Sequence, residues 1–323
     1  MRVVSVTAPG GPENLIIAEA PTPEPGPGEV LIKVVASGVN RADLLQRQGY
    51  YPPPPGISEV IGLEVSGTIA SVGEGVDAWK PGDPCVALLA GGGYAEYVAV
   101  PSGQVIAPPQ GVDLVTAAGL IEVAATVLSN FDHVRLAPGE IVLIHGGTGG
   151  IGSFAIQYAK ALGATVLTTA GSPAKLELCR EYGADYAFDY HDDWAAAVAD
   201  ATKGRGVDVI LDIMGAKYLE ANVASLALDG RLVVIGLQGG RKGTLDLNRL
   251  LTRRATVTAT SLRFRPVGQK AAICTAVAER VWPLIGSGVI RPAPETRFGL
   301  DDVAAAHRHL ESGDNIGKVL LVG

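Results

Sequence analysis

Cysteine is almost missing from this sequence. Cys85, Cys179 and Cys274 are odd in number and far apart in 323 residues, so neither a disulfide framework nor a C-x-x-C metal knuckle can be drawn from them. Small buried side chains are the expectation for all three. Charge is sparse as well, at 18% against 47% apolar, which leaves ample material for packed cores and excludes a disordered chain. An excess of basic residues is lacking: the net charge of -7 and the pI near 5.3 make nucleic acid an unlikely partner. Long apolar runs are lacking too. The longest uncharged stretch, Ile141 to Ala159, is interrupted by five glycines, so no membrane span is expected. Met1 to Val6 enters a strand-like pattern without the basic start, apolar core and cleavage site of a secretory signal, and a cytoplasmic protein is the expectation.

What the sequence does have is turn punctuation: 42 glycines and 21 prolines scatter between short apolar runs, without repeats or low-complexity tracts. A chain this long exceeds what one core economically fills, so two domains are expected. The first half reads as short strands, at Val30 to Ala36, Gly62 to Val72, Cys85 to Leu89 and Tyr94 to Val100. Pro21 to Gly28 and Tyr50 to Pro55 are rigid, irregular connectors, since each proline pushes its predecessor out of the helical region. From Pro138 strands and helices alternate, the mark of a parallel sheet covered on both faces. The expected strands are Ile141 to His145, Thr165 to Ala170, Ala187 to Tyr190, Val207 to Met214, Arg231 to Gly236 and Thr256 to Ser261. The clearest helices are Gly150 to Leu162, Pro173 to Tyr182 and Trp194 to Thr202. Lys318 to Val322 closes the chain as a strand that should rejoin the first domain.

One motif carries chemistry. The strand ending at His145 runs into Gly146-Gly147-Thr148-Gly149-Gly150-Ile151-Gly152 and then a helix. Gly147, Gly149 and Gly152 satisfy G-x-G-x-x-G: the first for a tight turn, the second for close approach to a pyrophosphate, the third for helix-strand packing. A glycine-rich structural turn is the alternative, but the order strand, loop, helix, strand is the context the motif requires. The second strand ends without the Asp or Glu that usually accepts from NAD ribose hydroxyls. It continues Gly171-Ser172-Pro173-Ala174-Lys175, offering a hydroxyl and an ammonium suited to the 2'-phosphate of NADPH. An ordinary solvated charge is the other reading of Lys175.

These residues, together with Pro9-Gly10-Gly11-Pro12-Glu13, Asn40-Arg41-Ala42-Asp43, Gly91-Gly92-Gly93-Tyr94, Leu228-Asp229-Gly230-Arg231 and Asn315-Ile316-Gly317-Lys318, give the chain a family resemblance over its whole length. It resembles the zinc-free quinone oxidoreductases of the medium-chain dehydrogenase/reductase superfamily, near the p53-inducible members and more distantly zeta-crystallin. The resemblance implies an α/β fold, a Rossmann doubly wound parallel sheet inserted into a mainly β GroES-like substrate domain. The latter would hold residues 1–122 and 288–323 and the Rossmann domain residues 123–287. A homodimer joined at the edge around Thr256 to Ser261 is also implied. By the same resemblance Ser172, Lys175 and Tyr190 would hold the 2'-phosphate, and Gly147 with Gly149, Gly150, Ile151 and Gly152 the pyrophosphate. Gly236, Leu237, Ser261 and Leu262 would meet the nicotinamide end. Thr126 and Asn315 would be further cofactor contacts, and Asn40 and Tyr51 would face the nicotinamide from the substrate domain. Tyr190 as a plain strand aromatic and Asn40 as a turn-former stay open.

Zinc-dependent relatives carry a Cys near the position of Asn40 and a His just before the Glu matching Glu64; here Asn40 and Leu63 stand there. Neither can replace thiolate or imidazole, so no metal is expected. Hydride delivery to an electrophilic acceptor, a quinone above all, then fits better than alcohol oxidation. Tyr51 is the candidate proton donor, with Asn40 beside it. An enone or alkenal reductase is the rival activity, and a noncatalytic NADPH-binding structural or RNA-binding protein the rival of another class. Among the histidines, His145 is expected buried and hydrogen-bonded and His307 and His309 solvated, while His133 and His191 show no partner pattern in the sequence. Arg253-Arg254 and Arg263-Phe264-Arg265 form the most basic region, an interface, a cleft rim or plain surface.

Overall fold

A computed structural model describes residues 1–313 and 315–323. The chain falls into two units, Met1–Ala125 with Leu262–Gly288 and Pro292–Gly323, and Thr126–Ser261 with Val289–Arg291.

The first unit is built on an antiparallel sheet in which Glu29–Val39 pairs with Glu64–Val72, Tyr97–Pro101 and the C-terminal Lys318–Val322. Pro84–Leu88 and Glu295–Gly299 extend it on either side. Alternation explains the two cores: Val30 and Ile32, Val98 and Val100 lie two apart and Val65 and Ile69 four apart on their strands, and they gather on one face. On the last strand Val319 and Leu321 join Val4, Leu44, Ile61 and Tyr94, while Leu320 between them turns to Ala36 and Ala118. Each such fully buried aliphatic side chain contributes about 1.5–3 kcal/mol.

Residues 262–287, which the sequence assigns to the Rossmann stretch, group with this unit instead. Local contacts account for it. Cys274 on the helix Val267–Arg280 lies against the Gln104 carbonyl, and the Trp282 indole N–H donates to the Ala107 carbonyl at 2.8 Å.

In the second unit six parallel strands stand in the order Tyr186–Asp189, Thr165–Ala170, Ile141–His145, Val207–Asp212, Leu226–Val234 and Thr256–Ala259. Numbered along the chain this is the doubly wound order 3-2-1-4-5-6 of a dinucleotide-binding sheet, with the switch point between Ile141–His145 and Val207–Asp212. Val142, Leu143, Ile144, Val209, Ile210 and Leu211 are buried without alternation, as strands covered on both faces must be.

Cys85, Cys179 and Cys274 are free and buried, and burial pushes each thiol up to about 12. Leu114–His133 is long and apolar enough by composition to cross a membrane, with a mean hydropathy of 1.6, but 78% of that window is buried in protein, as in a core helix.

Candidate functional site

The glycine loop lies at the carboxyl end of Ile141–His145 and opens the helix Gly150–Ala161, whose N-cap is Gly149. Its glycines have separable reasons. A Cβ on Gly147 would come within 2.6 Å of Cys179 Sγ, and one on Gly152 within 2.7 Å of the Gly147 Cα, so protein packing alone demands both. Gly149 is different: its φ of -72° suits any residue, and a Cβ there would meet only the Gly146 carbonyl oxygen at 3.6 Å. Nothing in the protein requires glycine at this helix N-terminus. The open space beside exposed N–H groups and the positive end of the helix dipole fits a pyrophosphate.

One strand over, the threonine hydroxyls are committed internally, Thr168 donating to the Ile144 carbonyl at 2.7 Å and Thr169 bonding His145 Nδ1 at 3.1 Å. Beyond them Tyr190 lies across Gly171, so close that a Cβ there would clash with its phenol ring and hydroxyl. Ser172 caps the helix Pro173–Glu181 by accepting from the Lys175 N–H at 3.3 Å. Gly171, Ser172, Lys175 and Tyr190 are thus brought together at the end of Thr165–Ala170, where the sequence carries no carboxylate. Gly236 and Leu237 follow Leu226–Val234, and Ser261 follows Thr256–Ala259, so these residues share the carboxyl edge of the sheet with the glycine loop. Gly236 runs so close to Ile213 that a Cβ would sit 3.1 Å from its Cα. Thr126 is buried on the helix Ile121–His133, its carbonyl accepting from Asn130.

Beneath the switch point His145 is buried between Thr169 and Asn222, with Nε2 2.7 Å from Asn222 Oδ1. The amide oxygen can only accept, so Nε2 carries the proton and Nδ1 accepts from Thr169. Burial holds this imidazole down at about 4, outweighing the Asn222 bond. Asp212, also buried, accepts from the Met214 and Gly215 N–H groups at 2.7 and 2.9 Å and shapes the turn behind its strand. Burial raises its pKa above the usual carboxylate range.

In the first unit Asn40 caps the helix Arg41–Arg47 and is held on both sides. Its amide Nδ2 donates to Glu64 Oε1 at 2.9 Å, and its Oδ1 accepts from Lys318 Nζ at 2.6 Å. Lys318 is also 2.6 Å from Glu64 Oε1, and Glu64 Oε2 accepts from the Glu122 N–H at 2.9 Å. Glu64 is wholly buried, and only a glycine at position 38 admits it, since a Cβ there would lie 2.6 Å from its carboxyl carbon. Tyr51 is half-buried, with the Arg263 guanidinium over its ring. Asn315 donates to the Gly317 carbonyl at 3.1 Å, while its buried Oδ1 has no partner among the described residues and stands as a ready acceptor.

Comparison with known proteins gives this geometry a family. Residues 26–110 match the alcohol dehydrogenase GroES-like domain, and residues 150–273 the family described as zinc-binding dehydrogenase. A quinone oxidoreductase of Pseudomonas aeruginosa is 32% identical over 99% of this chain and 98% of its own length. The chain belongs to the quinone oxidoreductase family of medium-chain dehydrogenase/reductases. It is an oxidoreductase. Among solved structures, a mycobacterial protein complexed with NADPH is 35% identical with a TM-score of 0.91, covering all of both chains. The Escherichia coli quinone oxidoreductase complexed with NADPH is 28% identical at 0.90, again over both whole chains. The JamJ enoyl reductase is 26% identical at 0.89, over 99% of this chain and 98% of that one.

Several expectations are corrected in this quinone oxidoreductase family member. His307 is not solvated: it is wholly buried, Nδ1 3.2 Å from Arg47 Nη1 and Nε2 3.3 Å from the Tyr94 hydroxyl. Its helix, Val303–Glu311, turns Val303, Ala306 and His307 inward at helical spacing, a periodicity the two-residue offset from His309 concealed. His309 packs on Phe298. His133 bonds the Thr258 hydroxyl at 3.0 Å and His191 bonds Asp189 at 2.7 Å, so both have partners. Arg263 is buried, and Arg254 pairs with Asp229 at 2.7 Å. Sequence reasoning missed Lys318 and Asp212 as site-building groups. The signal for Lys318 was present: a single charge opening the strand Lys318-Val-Leu-Leu-Val.

Proposed function

We propose that this chain reduces quinones with NADPH and without zinc. The observation that carries the reading is the Asn40–Glu64–Lys318 cluster: where zinc-dependent relatives would place metal ligands, this chain places an amide, a leucine and an ammonium already paired with the neighbouring carboxylate. An ammonium bonded to that carboxylate repels a divalent cation, and Asn40 and Leu63 supply no soft ligand. Without a Lewis acid the acceptor must already be electrophilic, which quinones are.

NADPH, when bound, supplies a hydride. The open N-terminus at Gly149 takes the pyrophosphate, and Ser172, Lys175 and Tyr190 take the 2'-phosphate. Asn40 is fixed in the first unit by its two bonds. A quinone that gains a hydride becomes a hydroquinone monoanion and needs one proton, which the Tyr51 phenol donates before solvent restores it. Reduction of an activated carbon–carbon double bond is the second reading, favoured by the likeness to an enoyl reductase. A dimer joined through Thr256–Ala259, an outer strand of its sheet, completes the proposal; a monomeric mass by light scattering would remove it.

Turnover with an ortho-quinone and an enone, each with NADPH and NADH, tests the reading. Quinone turnover selective for NADPH supports it; faster enone turnover moves the assignment to the second reading. NADPH binding with neither acceptor reduced would point to a noncatalytic role.

A further inference from the structure

We propose that Arg263 is the positioning residue of Tyr51: its guanidinium fixes the phenol and the chain that carries it, and sets a positive charge against the ring face. The inference rests on the reading that Tyr51 faces the acceptor.

The Arg263 side chain is drawn inside, leaving the residue 4% exposed, although arginine is almost never fully buried unpaired. Nε donates to the Ala90 carbonyl at 2.7 Å, Nη1 to the Tyr51 carbonyl at 3.0 Å and Nη2 to Gln46 Oε1 at 2.7 Å. These three bonds all end on neutral oxygens. The guanidinium carbon lies 5.1 Å from the Tyr51 ring centroid, within the range of a cation–π contact. Phe264 closes a second side of the same ring, edge-on at 5.4 Å and 88°. Two consecutive residues therefore cage Tyr51, whereas the adjacent Tyr50 is 72% exposed.

Burying a cation on neutral acceptors is costly, and here the cost is doubled. Lys270, also 4% exposed, donates to the Arg263 carbonyl at 3.5 Å, and burial lowers the pKa of both groups. A methionine would fill the slot without that penalty, so packing alone does not call for arginine. A charge against the Tyr51 ring favours the phenolate and makes the phenol a stronger acid. Tyr51 and Asp43, on the helix Arg41–Arg47, both favour the charged form of Arg263 and so work against the burial that disfavours it.

The test reads the phenol itself. Tyr51 ionisation is followed as the ultraviolet difference between the full chain and Tyr51→Phe, and again with Arg263→Met in both. The expected result is an ionisation midpoint about one pH unit higher without the guanidinium, with Arg263→Lys in between. With an ortho-quinone, kcat of Arg263→Met falls about tenfold while the KM for NADPH holds within about twofold, and the substitution has no further effect in the Tyr51→Phe background. An unmoved midpoint in a folded variant, or an equal loss in the Tyr51→Phe background, would overturn the proposal. Should Arg263→Met not fold, Gln46→Ala releases one tie and keeps the charge: kcat about threefold lower at constant NADPH KM supports positioning, and unchanged kcat overturns it. If Tyr51→Phe leaves turnover intact, the functional reading of Tyr51 fails, while the phenol midpoint still decides the role of Arg263.

Discussion

Lys175 stands at the third position of the helix that Ser172 caps, just beyond the strand Thr165–Ala170, whose own residues include no acid. A charge-assisted bond to a phosphate is worth about 1.5–3 kcal/mol, so Lys175→Ala should raise the KM for NADPH by about tenfold or more and leave that for NADH nearly unchanged. Equal effects on the two cofactors would return Lys175 to an ordinary surface charge. Tyr51→Phe removes only a proton donor, so kcat with quinones should fall while NADPH affinity stays; steady-state kinetics with both concentrations varied separates the two. At His145 the folded pKa of about 4 lies below the ordinary 6.5, so the unfolded chain binds more protons in that window. Its stability contribution is complete above about pH 6.5 and is lost as pH falls toward 4. Between pH 7 and 5 the loss is about 2 kcal/mol, and denaturant unfolding of His145→Gln should lack that part of the acid sensitivity.

At the scale of elements, the glycine loop divides packing from binding. Gly152→Ala forces a methyl against the Gly147 backbone and should cost about 1–3 kcal/mol of stability, read as a lower melting temperature. Gly149→Ala meets no such obstacle. Its melting temperature should hold while NADPH affinity falls, on our proposal that the space it fills takes the pyrophosphate. The loop and the parallel strands around it were legible in sequence because each fully buried strand is a short apolar run bounded by turn residues. Ile141–His145, Thr165–Ala170 and Lys318–Val322 have the bounds the pattern indicated. The helices Arg41–Arg47 and Val267–Arg280 were not read, since their burial depends on partners distant in sequence. The same limit hid His307: periodicity gives the inward face of a helix, but only the fold brings Arg47 and Tyr94 to it. Lys318 and Glu64 are 254 positions apart, and no local pattern announces their pairing.

Across the whole molecule the two units divide the work. The second carries a sheet of dinucleotide-binding order with the glycine loop at its carboxyl edge, and the first carries the charged cluster of Asn40, Glu64 and Lys318 together with the caged Tyr51. Family membership fixes the broad chemistry as that of an oxidoreductase; that the acceptor needs no metal is our proposal, and it rests on the cluster. The most direct test of that claim is NADPH oxidation by an ortho-quinone before and after exhaustive chelation, with the zinc content of the same sample measured. Turnover that survives chelation in protein with far less than one zinc per chain is the predicted result. Loss of turnover on chelation, restored by adding zinc, would contradict the account at its centre.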